Sequence, residues 1–389
     1  MLAIYIAHSG LLQLGHWQDE FLIFTRYRSS SFAAVVHRVI TWSPRPFSES
    51  LIYLYFVLSE HAGRPLFAEV LTFTWVLLTV PACVYILRAR TNPVSGNDLA
   101  LKSYVAISVP VLCILNAPLN EMFLWPMGAL AYVPGATSVM ALLFVTANDS
   151  GFARRTWITL CCCGVLGSFS VEVASVVCGI FFSLSLLSLL VWHDGRNEAT
   201  GGQAAIMSCL VPILSTLLVF ILLKTHRAES GSPLSENLEY VHHGWRSFTA
   251  AIPIFLRSLV GSYASGYQAT AVFRNAVSSV CYLAGMIALA DVFASAKSAL
   301  QTRAFAALAI ACFAGSFISV FATLYQFGVM CCERHDSFRD CLQIIGLASL
   351  ALWIARGPLK SFHPPDRLRG MTPLVGVSLI AAACLFATA

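Results

Sequence analysis

Asp19 and Glu20 stand side by side in a chain that has few charges to spend. Two carboxylates sharing a half-dry site repel, so one keeps its proton to higher pH and can take a proton from a hydroxyl near neutrality. The same pair can hold a divalent cation. As wet residues at the start of a helix they need no chemistry at all, because the helix dipole favours negative charge there. Arg45 sits in Trp42-Ser43-Pro44-Arg45-Pro46. An arginine held between prolines beside an apolar segment offers a planar fork that matches a phosphate. Its plainer reading is a headgroup-facing arginine beside an interfacial tryptophan.

Three further constellations can bind a substrate. Asn120 and Glu121 precede Trp125, with Tyr132 a little further on. The amide and acid suit sugar hydroxyls and the indole suits a ring face, whereas aromatic residues at the end of a span otherwise form the interfacial belt. Glu172 lies between apolar runs, and a carboxylate in such a place is costly unless it works or is wet. Arg334 and His335, in Glu333-Arg334-His335-Asp336, can contact phosphate or form a solvated turn. His242-His243 has no partner at metal-ligand spacing, and neither a phosphate-binding P-loop nor a dinucleotide fingerprint occurs.

The elements that must carry these residues follow from composition. Of 389 residues, 58% are hydrophobic and 11% charged, less than half the charged share of a soluble domain. Apolar runs of spanning length recur throughout, so the expected fold is all-α, a polytopic transmembrane helix bundle forming a single domain over 1–389. At about 30–35 residues per span and loop, the length allows about eleven spans. The cysteines lie mostly inside apolar runs, where they act as small hydrophobes, and Cys331, Cys332 and Cys341 are the ones expected in or beside a polar loop. The first residues, 1–15, lack a basic leader and a small-residue cleavage site, and read as a short first span.

Residues 15–65 read as an outer loop with interfacial helices. Phe21, Phe24, Phe32, Val35, Val36 and Val39 alternate with Arg26, Arg28, His37 and Arg38 as in one amphipathic helix, or two. The segment 47–62 is short for a span and is framed by Glu49 and Glu60. Reading it as interfacial gives later spans near 66–88, 103–119, 128–147, 157–171, 174–192, 205–223, 269–290, 305–327, 341–354 and 372–388. Alternate gaps then gather Arg88, Arg90 and Lys102; Arg154 and Arg155; Arg196; Lys297 and Arg303; and Arg356, Lys360, Arg367 and Arg369. The positive-inside rule assigns those gaps to the cytoplasm. Asp19, Glu20, Glu49, Glu121, Glu172, Glu333, Asp336 and Asp340 fall on the other face, as does a second outer loop over 224–268. The net charge of +5 is explained by topology and calls for no nucleic acid.

With a short first helix, an outer loop carrying Asp19-Glu20, and interfacial helices, the chain resembles the GT-C superfamily of polytopic glycosyltransferases. Trp42-Ser43-Pro44-Arg45-Pro46, the run from Phe123 to Tyr132, the isolated Glu172 and Cys332-Glu333-Arg334-His335 are similar to pieces of bacterial members, including O-antigen-modifying glucosyltransferases. The likeness covers the first 130 residues best and is thin after 200.

The resemblance implies an outward-facing site in a bacterial inner membrane, a polyprenyl-phosphate-linked sugar as donor, and a glycan or lipid as acceptor, with inversion at the anomeric carbon. Asp19 or Glu20 would be the base and Arg45 a donor-phosphate contact. Unlike many members, the chain shows no large soluble C-terminal domain. Two other classes remain open. A transporter or flippase would carry ionisable groups deep in its spans, Arg274 being the main candidate. A lipid-linked glycan polymerase or ligase would need an acceptor groove in 224–268.

Overall fold

The computed structural model describes residues 17–41, 43–91, 96–116, 122–148, 152–191, 199–226, 240, 242–259, 269–294, 298–328, 333–359 and 371–388. The expected first span over 1–15 lies outside them. All regular structure among the described residues is α-helical. In chain order the helices are α1 (Trp17–Thr41), α2 (Pro46–Ala62), α3 (Phe67–Thr91), α4 (Gly96–Asn116), α5 (Pro126–Asn148), α6 (Arg154–Ser168) and α7 (Glu172–Val191). After them come α8 (Ala199–His226), α9 (Gly244–Ser258), α10 (Ala269–Ala288), α11 (Ala290–Phe293), α12 (Ala299–Phe327), α13 (Glu333–Arg356) and α14 (Thr372–Thr388). Seven of these (α3, α4, α5, α7, α8, α12 and α13) contain stretches long and apolar enough to cross a membrane. The chain is a multi-pass helical membrane protein.

Most connections are short, so consecutive long helices run back and forth, and polar contacts fix which ends meet. Tyr85 near the end of α3 donates to the Phe293 carbonyl, and Gln301 at the start of α12 donates to the Thr146 carbonyl at 2.7 Å. Arg356 at the end of α13 donates to the Ala290 carbonyl at 3.2 Å. Arg88, Arg90, Arg154, Arg155 and Arg303 all belong to helix ends on this same side of the bundle. The opposite side carries the starts of α3, α5, α7, α10 and α13.

Helix α5 is the axis of the bundle. Its small and apolar sequence, from Pro126 to Asn148, leaves nearly every side chain buried. A Cβ on Gly135 would meet Val171 Cγ1 at 2.8 Å and the Phe338 ring at 3.3 Å. This glycine therefore lets the starts of α7 and α13 close on α5, the small-residue packing common between membrane helices.

The first two helices stay at that end. α1 is two helical pieces joined at Ser31 (φ 53°, ψ −148°), a backbone strained for a residue with a side chain. It packs on α2 through Phe24 against Phe56 and Phe32 against Tyr53, with ring centroids 5.4 and 5.6 Å apart. The first turn of α2 is tied to the bundle: Ser48 Oγ donates to the Ala131 carbonyl at 3.0 Å, and the Phe47 amide to the Phe169 carbonyl at 3.1 Å. Its last turn is closed by Gly63 at φ 63°, and α3 begins four residues later on the same side. Both ends of α2 thus lie at one end of the bundle, so 47–62 does not run across it.

Three expectations are corrected. The span placed at 341–354 belongs to a helix that begins at Glu333, so Asp336, Arg339 and Asp340 are buried helix residues rather than loop residues. Hydropathy trims such a helix because it counts charges without seeing that Asp336 and Arg339, three apart, share a face and pair. The 224–268 loop also contains a helix, α9, which lays Ala251 against Val320 and Leu324 of α12. Cys341, expected beside a loop, is wholly buried, with its thiol 3.8 Å from the Cys113 carbonyl.

Candidate functional site

The turn between α1 and α2 brings the first site residues together. Pro46, with its fixed φ, starts α2 well, and the residue before a proline has few backbone options, which holds Arg45 in place. The Ser43 amide donates to the Arg38 carbonyl at 3.0 Å and the Arg45 amide to the Ser43 carbonyl at 2.7 Å, so the turn is tight. One helical turn on, Glu49 is completely buried. Its Oε2 accepts from the Tyr27 hydroxyl at 2.8 Å and is ion-paired with Arg38, 2.7 Å from its Nε, while Oε1 faces Arg45 Nη2 at 3.7 Å. Burial, and the Glu49 carboxylate beside it, push the Tyr27 hydroxyl well above its ordinary pKa, so Tyr27 donates to Glu49 at any accessible pH.

Arg45 bridges to the bundle. Its guanidinium lies 6.0 Å from the Tyr132 ring centroid on α5 and is also held by the charge of Glu172 at the start of α7. Burial works against the charge on Arg45, but Glu172, Tyr132 and Glu49 together outweigh it, so its pKa is raised. Its Nε is buried with no hydrogen-bond partner. Glu172 is only partly buried and accepts from Ser43 Oγ at 3.0 Å.

From Tyr132 the network passes to α13. The Tyr132 hydroxyl is 3.3 Å from His335 Nε2, and the two rings meet edge to face at 5.6 Å. The neighbouring Arg334 lies over the Trp125 indole, 5.4 Å from its centroid. One turn deeper, Arg339 and Asp336, 1% and 3% exposed, form an ion pair.

Arg45, Trp125, Glu172, Arg334 and His335, picked from four separate stretches of sequence, therefore lie at one end of the bundle, around Tyr132. Asp19 and Glu20 lie in the first turn of α1, and their side chains are outside the described residues, as are Asn120 and Glu121 altogether. Reading the sequence missed Glu49, Arg38 and Tyr27 as a unit. The available signal was Glu49 four residues after Arg45 and in the first turn of a helix, where each favours an acid.

The arrangement separates two tasks. Arg38, Tyr27 and Glu49 form an ion cluster that fixes α1 on α2, in which Arg38 Nε and Glu49 Oε1, like Arg45 Nε, make no hydrogen bond. Arg45 is held by charge at longer range, with one buried donor unspent, and Arg334 stacks on an aromatic face. These are suited to an anion with a ring or chain beside it. Among the described residues no group of three His, Cys, Asp or Glu side chains converges on a metal position. No family model, curated protein or solved structure matches the chain.

Proposed function

We propose that the chain is a membrane-embedded glycosyltransferase that moves a sugar from a polyprenyl-phosphate-linked donor to a glycan or lipid acceptor. The observation that carries this reading is Arg45: a partly exposed guanidinium whose buried Nε makes no hydrogen bond, set between Glu49 and Glu172, at the same end of the bundle as the Trp125–Arg334 stack. In this reading Arg45 and Arg334 neutralise the donor phosphate, Trp125 packs on a sugar face, and Glu172 holds Arg45 while accepting from a substrate hydroxyl. Asn120 and Glu121 add hydrogen bonds to the sugar. Asp19 or Glu20 takes the proton of the acceptor hydroxyl as it attacks the anomeric carbon, and the lipid phosphate leaves with the electrons of the broken bond. In this reading the site end faces outward from a bacterial inner membrane, with Arg88, Arg90, Arg154, Arg155 and Arg303 toward the cytoplasm.

The test is sugar transfer by the purified full chain in lipid nanodiscs, supplied with a lipid extract containing polyprenyl-linked sugars. Asp19→Ala combined with Glu20→Ala is expected to reduce transfer by a factor of about a hundred or more, in line with loss of a general base. Unchanged transfer in the double variant would remove the acid pair from the mechanism.

A second reading has one observation in its favour. Asp336, Arg339 and Asp340 are buried inside a helix long and apolar enough to span, as expected of a transporter or flippase. Protein-dependent movement of a lipid-linked sugar across vesicle membranes, without any transfer product, would select it.

A further inference from the structure

Helix α13 carries polar residues on one face from the site end inward. His335, Asp336, Arg339, Asp340 and Gln343 follow helical spacing, and the stripe ends at a cavity of about 20 Å³. Six polar residues line it: Asn116 at the end of α4, Ser258 at the end of α9, Asn275 and Ser279 on α10, and Asp340 and Gln343 on α13. A single water needs roughly 10–15 Å³ by this measure, so the space suits one small occupant.

Asp340 sets the charge of that occupant. It is 8% exposed, and its Oδ2 is buried with no hydrogen-bond partner. The neighbouring Arg339 is paired with Asp336. Arg274, just before Asn275, forms no ion pair with Asp340 among the described residues. An ionised carboxylate left alone in a low-dielectric interior costs several kcal/mol, and a neutral water cannot offset it.

The surrounding hydrogen bonds decide what the other ligands present. Ser258 Oγ donates its only proton to the Phe255 carbonyl at 2.8 Å, so at its 3.3 Å contact with Gln343 the amide nitrogen must be the donor. Asn116 Nδ2 likewise donates to the Leu112 carbonyl at 3.0 Å. Both amides make these contacts through nitrogen, which leaves their oxygens as the groups able to ligate a cation. A donor set of one carboxylate with amide and hydroxyl oxygens is a hard-cation set, and one negative charge calls for one positive charge.

We infer that the cavity between α4, α9, α10 and α13 is a sodium-ion site anchored by Asp340. The inference is independent of sugar transfer, since it rests on none of the residues assigned to that reaction and its readout is binding.

Thermal unfolding of the purified full chain in detergent tests it, with sodium chloride titrated against choline chloride at constant ionic strength. Sodium is expected to raise Tm with the logarithm of its concentration above a saturation midpoint, because a ligand bound only by the folded state stabilises by mass action. Asp340→Asn should abolish the rise, and Gln343→Ala should move the midpoint up by about tenfold. Equal Tm in sodium and choline would overturn the inference and leave a proton on Asp340 as the answer to its charge. A full sodium response in Asp340→Asn would overturn it as well. Should Asp340→Asn not yield folded protein, Gln343→Ala decides: an unchanged midpoint contradicts the site.

Discussion

Glu49 and Glu172 both interact with Arg45, but Glu49 is fully buried and also pairs with Arg38 and accepts from Tyr27, whereas Glu172 is partly exposed. Removing one partner from a buried ion cluster leaves the others uncompensated, at a cost of about 3–5 kcal/mol. Glu49→Gln is therefore expected to lower Tm markedly in detergent, while Glu172→Gln lowers it much less. Equal shifts would mean that the two acids are alike in role. The control is Arg28→Ala, whose pair with Glu60 is exposed on both sides and should change Tm little. Because the pKa of Arg45 is raised, its charge persists at every accessible pH. At this scale Arg45 was singled out by its flanking prolines, Glu172 as an acid between apolar runs and His335 within a charged cluster, and the fold brings all three to one end of the bundle. Glu49 was passed over because an acid near the start of an uncertain segment looks like a boundary marker.

Helices were legible where their polarity is plain. α5 and α7 lie close to the expected 128–147 and 174–192, since unbroken apolar runs leave few alternatives. α13 was read short because a hydropathy window cannot distinguish a solvated charge from one neutralised a turn away. α9 was read as loop because Pro253 and two arginines interrupt it, although Phe248, Ala251 and Phe255 fall on one face. α2 gives the sharpest prediction here, because both of its ends lie at the site end. In a background with the native cysteines replaced, single cysteines at Arg64 and at Asp19 should react with an impermeant thiol reagent from the outer side. A cysteine at Arg154 should react only after the membrane is opened. Labelling of Arg64 and Arg154 from the same side would contradict the assignment of ends.

For the molecule as a whole, α-helical membrane architecture was legible from composition, because a charged share of 11% is incompatible with a water-exposed surface of ordinary size. The way separate stretches converge was not, because that depends on close approach at positions such as Gly135, which no single-helix pattern encodes. One end of the bundle carries Arg88, Arg154 and Arg303; Arg45, Tyr132, Glu172 and His335 meet at the opposite end, and a polar stripe on α13 leads from there to Asp340. Transfer of a sugar from a lipid phosphate is the central claim drawn from this arrangement. Its most direct test is mass spectrometry of lipid-linked sugars and envelope glycans in cells with the gene, without it, and complemented with Arg45→Ala. The account predicts that loss of the gene removes one sugar from an envelope glycan or lipid while its polyprenyl-linked donor accumulates, and that Arg45→Ala fails to restore the modification. Identical glycan and donor profiles with and without the gene would contradict it.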